Sequence, residues 1–252
     1  MNIYEFLGTA RSGHHVIINW AFKNLCGSEY VMHGKFKENK ESGLYYINEA
    51  NLDLGLTFDY LPKISSNCEY LFLSYENSSN DFSLFSPNYK YKAPLDFTST
   101  LIKERPRDRK RIILIRDFYN NLASRIKLNI NNIEEKRPPH FSFDVGVGFV
   151  NMWKSYARDI VNDRCYSIKF EDWISNKEIR VEFLHDVFGI NELYDSSNIT
   201  GTLSSFEQGD VINRIKEVEI SDITKNIINS DTELKELIEA LGYKNYNLWI
   251  NE

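Results

Sequence analysis

The residues best suited to chemistry stand at the start of the chain. Gly8-Thr9-Ala10-Arg11-Ser12-Gly13-His14-His15 follows the short apolar run Ile3–Leu7 and leads directly into the apolar stretch Val16 to Leu25. A strand, a tight glycine-bounded loop and a helix in that order make a cradle for an anion. Backbone N–H groups converge where the helix begins, and the helix dipole adds partial positive charge. The spacing Gly8-x4-Gly13 is that of a nucleotide-triphosphate loop, which also needs a Lys for the β/γ-phosphates and a hydroxyl for Mg²⁺ immediately afterwards. His14 and His15 occupy those places. The loop is therefore expected to hold a phosphate group without a metal. The amides of Ser12, Gly13 and His14 would form the cradle, and Arg11 would be its fixed charge.

A second constellation lies at Arg111-Ile112-Ile113-Leu114-Ile115-Arg116-Asp117-Phe118, a buried-strand pattern with an Arg at its carboxyl end. Ser124 follows eight residues later, two helical turns on. A strand-end guanidinium and a hydroxyl on the next helix can grip one phosphate together, the first in bidentate fashion. The plainer alternative is a structural ion pair of Arg116 with Asp117 or Asp172.

These groups need elements to hold them. Strands are expected at Ile3–Leu7, Tyr70–Ser74, Arg111–Ile115 and Tyr166–Lys169. Several are continuous apolar runs, as in a sheet covered on both faces. Helices are expected over His14–Leu25, Phe118–Leu128, Phe149–Asn162, Glu178–Phe188 and Thr232–Leu241. The last has Ser230 or Asp231 as N-cap and Gly242 just past its end. A further short strand is possible at Tyr30–Met32. Strands alternating with helices predict a parallel β-sheet flanked by helices in three α/β/α layers, of the P-loop NTPase kind. The whole chain, 1–252, is expected to be one domain. Asn77–Asp96 and Asn129–Val147 read as long loops on the side where ligands of open α/β sheets sit.

Bulk properties narrow the function classes. The chain has 252 residues and a formal net charge of −6, which gives no electrostatic support for a nucleic-acid partner. Cys26, Cys68 and Cys165 are an odd, widely spaced set, which argues against a zinc site and against a disulfide framework. No basic leader with an apolar core and no run of membrane-spanning length stands out. A soluble cytoplasmic protein is expected.

The two constellations together resemble the nucleotide-binding sulfotransferase family, whose donor is 3′-phosphoadenosine-5′-phosphosulfate. The resemblance runs from Ile3 to Arg214. In that family the first loop, here GTARSGHH, holds the 5′-phosphosulfate. The second segment, here IRDFYNNLASR, grips the 3′-phosphate through an Arg and a Ser, which correspond to Arg116 and Ser124. Tyr166 to Trp173 resembles the family's strand ending in aromatic-Glu-Asp, which puts Phe170 near the adenine. Ser204-Ser205-Phe206 followed by Asn213-Arg214 resembles the late segment that lines the adenine and closes over the 3′-phosphate, implicating Ser205, Phe206 and Arg214. Two departures stand out: His14 and His15 replace the usual hydroxyl residues, and Arg11 stands where the cytosolic branch uses Lys. Carbohydrate-modifying branches commonly use Arg there, which implies a carbohydrate or glycolipid acceptor.

The implied chemistry is in-line transfer of a sulfuryl group to an acceptor hydroxyl, with 3′-phosphoadenosine-5′-phosphate as product and no metal. Arg11 is expected to stabilise the bridging or leaving oxygen. A general base must take the acceptor proton. Glu76, just beyond the strand Tyr70–Ser74, stands where the family places one. His14 and His15 are rivals, either as base or as neutral donors, because a helix N-terminus disfavours the imidazolium. His33 is a further candidate, whereas His140 lies in the second loop and His185 on a helix. Tyr45, Tyr46, Tyr75, Phe82, Phe85, Tyr89 and Tyr91 suit either a sugar platform or a core. Two other functions compete: an NTP-dependent kinase on the same fold, and a catalytically inert nucleotide-binding module.

Overall fold

Twelve strand residues decide how the layers form. Ile3, Leu7, Leu71, Leu73, Tyr75, Ile113 and Ile115 point to one side of a sheet, while Tyr4, Phe6, Phe72, Ile112 and Leu114 point to the other. Alternation within nearly all-apolar strands forces cover on both faces. The computed structural model describes residues 2–9, 11–26, 36–39, 44–47, 69–76, 108–136, 145–191 and 214–245. Its strands are β1 (Asn2–Gly8), β2 (Phe36–Asn39), β3 (Leu44–Ile47), β4 (Tyr70–Glu76), β5 (Asp108–Ile115) and β6 (Tyr166–Lys169). They form one sheet in the order β2-β3-β4-β1-β5-β6. β2 pairs antiparallel with β3, and every other pairing is parallel.

The described helices are α1 (His14–Cys26), α2 (Phe118–Glu134), α3 (Val145–Val161), α4 (Phe170–Ser175), α5 (Lys177–Phe188), α6 (Asp222–Ser230) and α7 (Thr232–Ala240), with a 3₁₀ turn at Arg214–Glu217. One face of the sheet is covered by α2, α3, α6 and α7 through Phe118, Leu122, Trp153, Ile228 and Leu234. The other is covered by α1, α4 and α5 through Ile17, Phe22, Trp173 and Leu184. This is the three-layer α/β/α arrangement expected from the sequence. Among the described residues no helix is long and apolar enough to cross a membrane.

Helix ends follow their capping residues. Asp117 accepts from the Asn120 N–H at 2.8 Å and starts α2, and Asp231 accepts from the Leu234 N–H at 2.9 Å and starts α7. Gly189 and Gly242 take left-handed φ of 72° and 77° just past α5 and α7, where only a residue without Cβ is relaxed.

Several expectations need correction. Asn129–Val147 is not one loop: Asn129–Glu134 continues α2, and α3 begins at Val145. Burial of Asn129 and Asn132 against the rest of the fold overrides the weak helix preference of Asn. β2, β3, α4 and α6 were not anticipated. Tyr46 and Tyr75 are fully buried core residues, which removes them as sugar platforms. The segments Tyr30–Met32 and Asn77–Asp96, and residues His33, His140, Ser205 and Phe206, lie outside the described residues, as do the side chains of Glu76 and Tyr45.

Candidate functional site

From the central strand β1 the chain passes outward to β2, β3 and β4 on one side and later to β5 and β6 on the other. Such a reversal of strand order opens a crevice beyond the carboxyl ends of the strands. Parallel register aligns those ends, because Gly8 pairs with both Glu76 and Leu114, and Ile115 pairs with Lys169. The first loop, Arg116 and the backbone of Glu76 therefore share one edge of the sheet.

The first loop is a tight turn. Ser12 N–H donates to the Thr9 carbonyl at 3.1 Å, and the Gly13 carbonyl accepts from Val16 and Ile17 N–H at 3.1 and 3.2 Å to start α1. Arg11 takes φ 71° and Gly13 φ 85°. Left-handed φ is strained for Arg and free for Gly. A Cβ on Gly8 would lie 2.8 Å from His14 Nδ1, 2.9 Å from the Leu114 carbonyl oxygen and 3.0 Å from Ser12 Oγ. Two side-chain polar atoms thus crowd the bare face of Gly8, and both Ser12 Oγ and His14 Nδ1 are buried without a hydrogen-bond partner.

His14 is only 1% exposed, and its Nε2 lies 2.7 Å from Ser74 Oγ on β4. Burial, with a smaller push from His15, holds its pKa well below the ordinary histidine value. With Nε2 engaged by Ser74 and burial disfavouring the imidazolium, His14 is a weak base for an acceptor's proton. His15 is half-buried on the same turn, its ring centroid 5.9 Å from that of His14.

The second constellation closes directly onto the first. Arg116, 4% exposed, donates through Nη1 to the Arg11 carbonyl at 3.2 Å and to Ser124 Oγ at 3.2 Å. Arg214 Nη1 also donates to Ser124 Oγ, at 3.4 Å. Its backbone N–H donates to Asn120 Oδ1 at 3.2 Å, which fixes the 3₁₀ turn on α2. Two guanidinium groups on one hydroxyl repel each other, and Arg116 Nη2 is buried with no hydrogen-bond partner. Burial, then Arg214 and more weakly Arg11, lower the Arg116 pKa to about 10, against the opposing pull of Glu171 and Asp117. The group remains cationic at neutral pH.

Supports hold Arg116 from behind. Trp153 Nε1–H donates to its carbonyl at 3.0 Å. Glu171 Oε1 lies 3.5 Å from its Nε, and the same carboxylate accepts from Asp117 N–H at 3.2 and 3.3 Å and from Tyr243 O–H at 3.0 Å. Burial raises the Asp117 pKa to about 7 and raises that of Glu171. The anticipated ion pair to Asp117 or Asp172 is thus made by Glu171, and Asp117 acts as a helix cap.

Phe170, expected near the adenine, lies between Arg116 and Gly13. The Arg116 guanidinium sits 4.9 Å over its ring centroid. The ring also packs on Gly13 so closely that a Cβ there would lie 2.1 Å from Phe170 Cδ2. The ring therefore touches both Gly13 of the first loop and Arg116, and helps to orient them.

Arg11, Ser12, Gly13, His14, Arg116, Ser124, Phe170 and Arg214 are brought together. Sequence reasoning missed Ser74, Glu171, Tyr243 and Asn121, whose Nδ2 donates to Thr9 Oγ1 at 2.9 Å. A hydroxyl inside the apolar run of β4 was the available signal for Ser74. Among the described residues no cluster of His, Cys, Asp and Glu is arranged as a metal site. A scan against models of known protein families matches none of them. No curated protein matches the chain.

Proposed function

We propose that this chain is a sulfotransferase that moves the sulfuryl group of 3′-phosphoadenosine-5′-phosphosulfate to a hydroxyl of a carbohydrate or glycolipid acceptor. The observation that carries this reading is the joining of two anion-binding points by one side chain, since Arg116 donates both to the loop carbonyl of Arg11 and to Ser124. A nucleotide with one phosphate on each side of its ribose matches two such points. The start of α1 with Arg11 would take the 5′ group, a P-loop-like use of strand, loop and helix. Arg116, Ser124 and Arg214 would take the 3′-phosphate. Buried, unpartnered Arg116 Nη2 and Ser12 Oγ supply donors of the kind such a ligand needs.

In the transfer, a bond forms between the acceptor oxygen and sulfur while the bond from sulfur to the 5′-phosphate oxygen breaks. The acceptor proton passes to a base, for which Glu76 and His15 are the candidates. The α1 N-terminus and Arg11 meet the charge that develops on the leaving phosphate. A kinase reading has less support, because the loop lacks the Lys and hydroxyl that follow its second glycine in triphosphate-binding loops. Thermal unfolding with added nucleotide tests the proposal. 3′-Phosphoadenosine-5′-phosphate should raise the Tm, equally in EDTA, and Mg²⁺-ATP should not. The reverse pattern would overturn it in favour of a kinase.

A further inference from the structure

His14 and Ser74 carry an inference about how the first loop recognises its ligand, and it rests on the anion-cradle reading above. Ser74 Oγ has His14 Nε2 as its partner at 2.7 Å, and His14 Nδ1 has none. Hydrogen-bond accounting separates the two neutral tautomers. If Nε2 carries the proton, it donates to Ser74. The serine proton then lacks an acceptor among the described residues, and a buried Nδ1 lone pair faces the loop. If Nδ1 carries the proton, the Ser74 hydroxyl donates to Nε2, and the one unmet group is an N–H. That N–H lies beside Ser12 Oγ, also buried and unmet, over the bare face of Gly8 at the start of α1. Two orphan donors converging at a helix N-terminus suit an anion, whereas a lone pair there would repel one.

We propose that Ser74 is a positioning residue that fixes His14 as the Nδ1–H tautomer, making His14 a neutral hydrogen-bond donor to the 5′-phosphate or sulfuryl oxygens held in the first loop. His14 follows the second loop glycine, where a triphosphate loop has its lysine. A neutral donor there brings no cation, so charge compensation falls to Arg11 and the helix start. This arrangement suits a single phosphosulfate group better than a metal-bound polyphosphate.

Histidine ¹⁵N spectra of the free protein, with His14 assigned through its own backbone connectivities, give the tautomer directly. The expected result is a protonated Nδ1 and an unprotonated Nε2. Ser74→Ala should release that preference and weaken binding of 3′-phosphoadenosine-5′-phosphate about tenfold by calorimetry, and Ser74→Thr should restore both. A protonated Nε2 in the wild-type protein overturns the inference while leaving the nucleotide reading intact, as does a Ser74→Ala protein with unchanged tautomer and affinity. A wild-type protein that binds neither this nucleotide nor inorganic sulfate overturns the cradle itself and the ligand assigned to His14, whatever the tautomer.

Discussion

Arg116 concentrates the chemistry of the site in one side chain. It is buried, it bridges the loop to Ser124, and neither its Nη2 nor its Nε, which lies beside Glu171, has a hydrogen-bond partner. Arg116→Ala should weaken binding of 3′-phosphoadenosine-5′-phosphate by about 1.5–3 kcal/mol, the range for hydrogen bonds to charged groups. Arg116→Lys should recover little of it, since an ammonium cannot form the same fork. Calorimetry on both variants checks this, and full affinity in either would refute the assigned grip. At this scale the meeting of a strand-end Arg116 with the Ser124 hydroxyl two turns later was readable from type and spacing alone. The anion chemistry read from them and from Arg11 in its glycine-bounded loop is part of the proposed function. What supports them was not readable. Glu171, Tyr243 and Ser74 act through contacts 54 to 72 residues apart in sequence with Asp117 and with one another, or 60 apart for Ser74 and His14, and no local pattern encodes such pairings.

Elements position these residues through close approach. Phe170 opens α4 and lies against Gly13 at the start of α1. Gly13→Ala should destabilise the fold by about 2–5 kcal/mol, combining overpacking with a left-handed φ. In a Phe170→Ala background only the conformational part, about 1–2 kcal/mol, should remain. Urea unfolding of the four proteins measures the coupling, and strictly additive effects would mean that ring and glycine are not in contact. The element pattern itself was largely legible, because continuous apolar runs mark covered strands and Asp231 and Gly242 mark the ends of α7. The edge hairpin β2–β3 was not legible. Phe36–Asn39 alternates too briefly, and its pairing depends on β4 lying alongside β3. The tail of α2 was missed because Asn129, Asn131 and Asn132 look like loop composition until the burial of Asn129 and Asn132 is known.

For the whole molecule, the buried acids make stability depend on pH in a definite direction. Burial raises the Asp117 pKa from 3.8 to about 7, so its contribution is fully present below the unfolded value and is lost as pH rises through about 7. Glu233, ion-paired to Arg158 and Lys154, behaves oppositely. Its pKa is lowered to about 2, chiefly by the Arg158 and Lys154 hydrogen bonds, so that contribution is present above 4.5 and fades as pH falls through about 2. Its exposure keeps the effect small. Asp117→Asn keeps an oxygen for the Asn120 N–H and removes the charge. Urea unfolding at pH 5 and pH 8 should show the wild-type protein losing stability with rising pH and the variant losing clearly less. An equal slope in both would place the titrating group elsewhere. The Tyr243 hydroxyl has a consequence of its own. It comes from beyond the final described helix and steadies the acid behind Arg116. During synthesis the sheet and its first loop are made long before that tyrosine, so the acid behind Arg116 gains this last hydrogen bond only after α7 has docked, and the grip proposed for Arg116 would be completed by the final part of the fold to form.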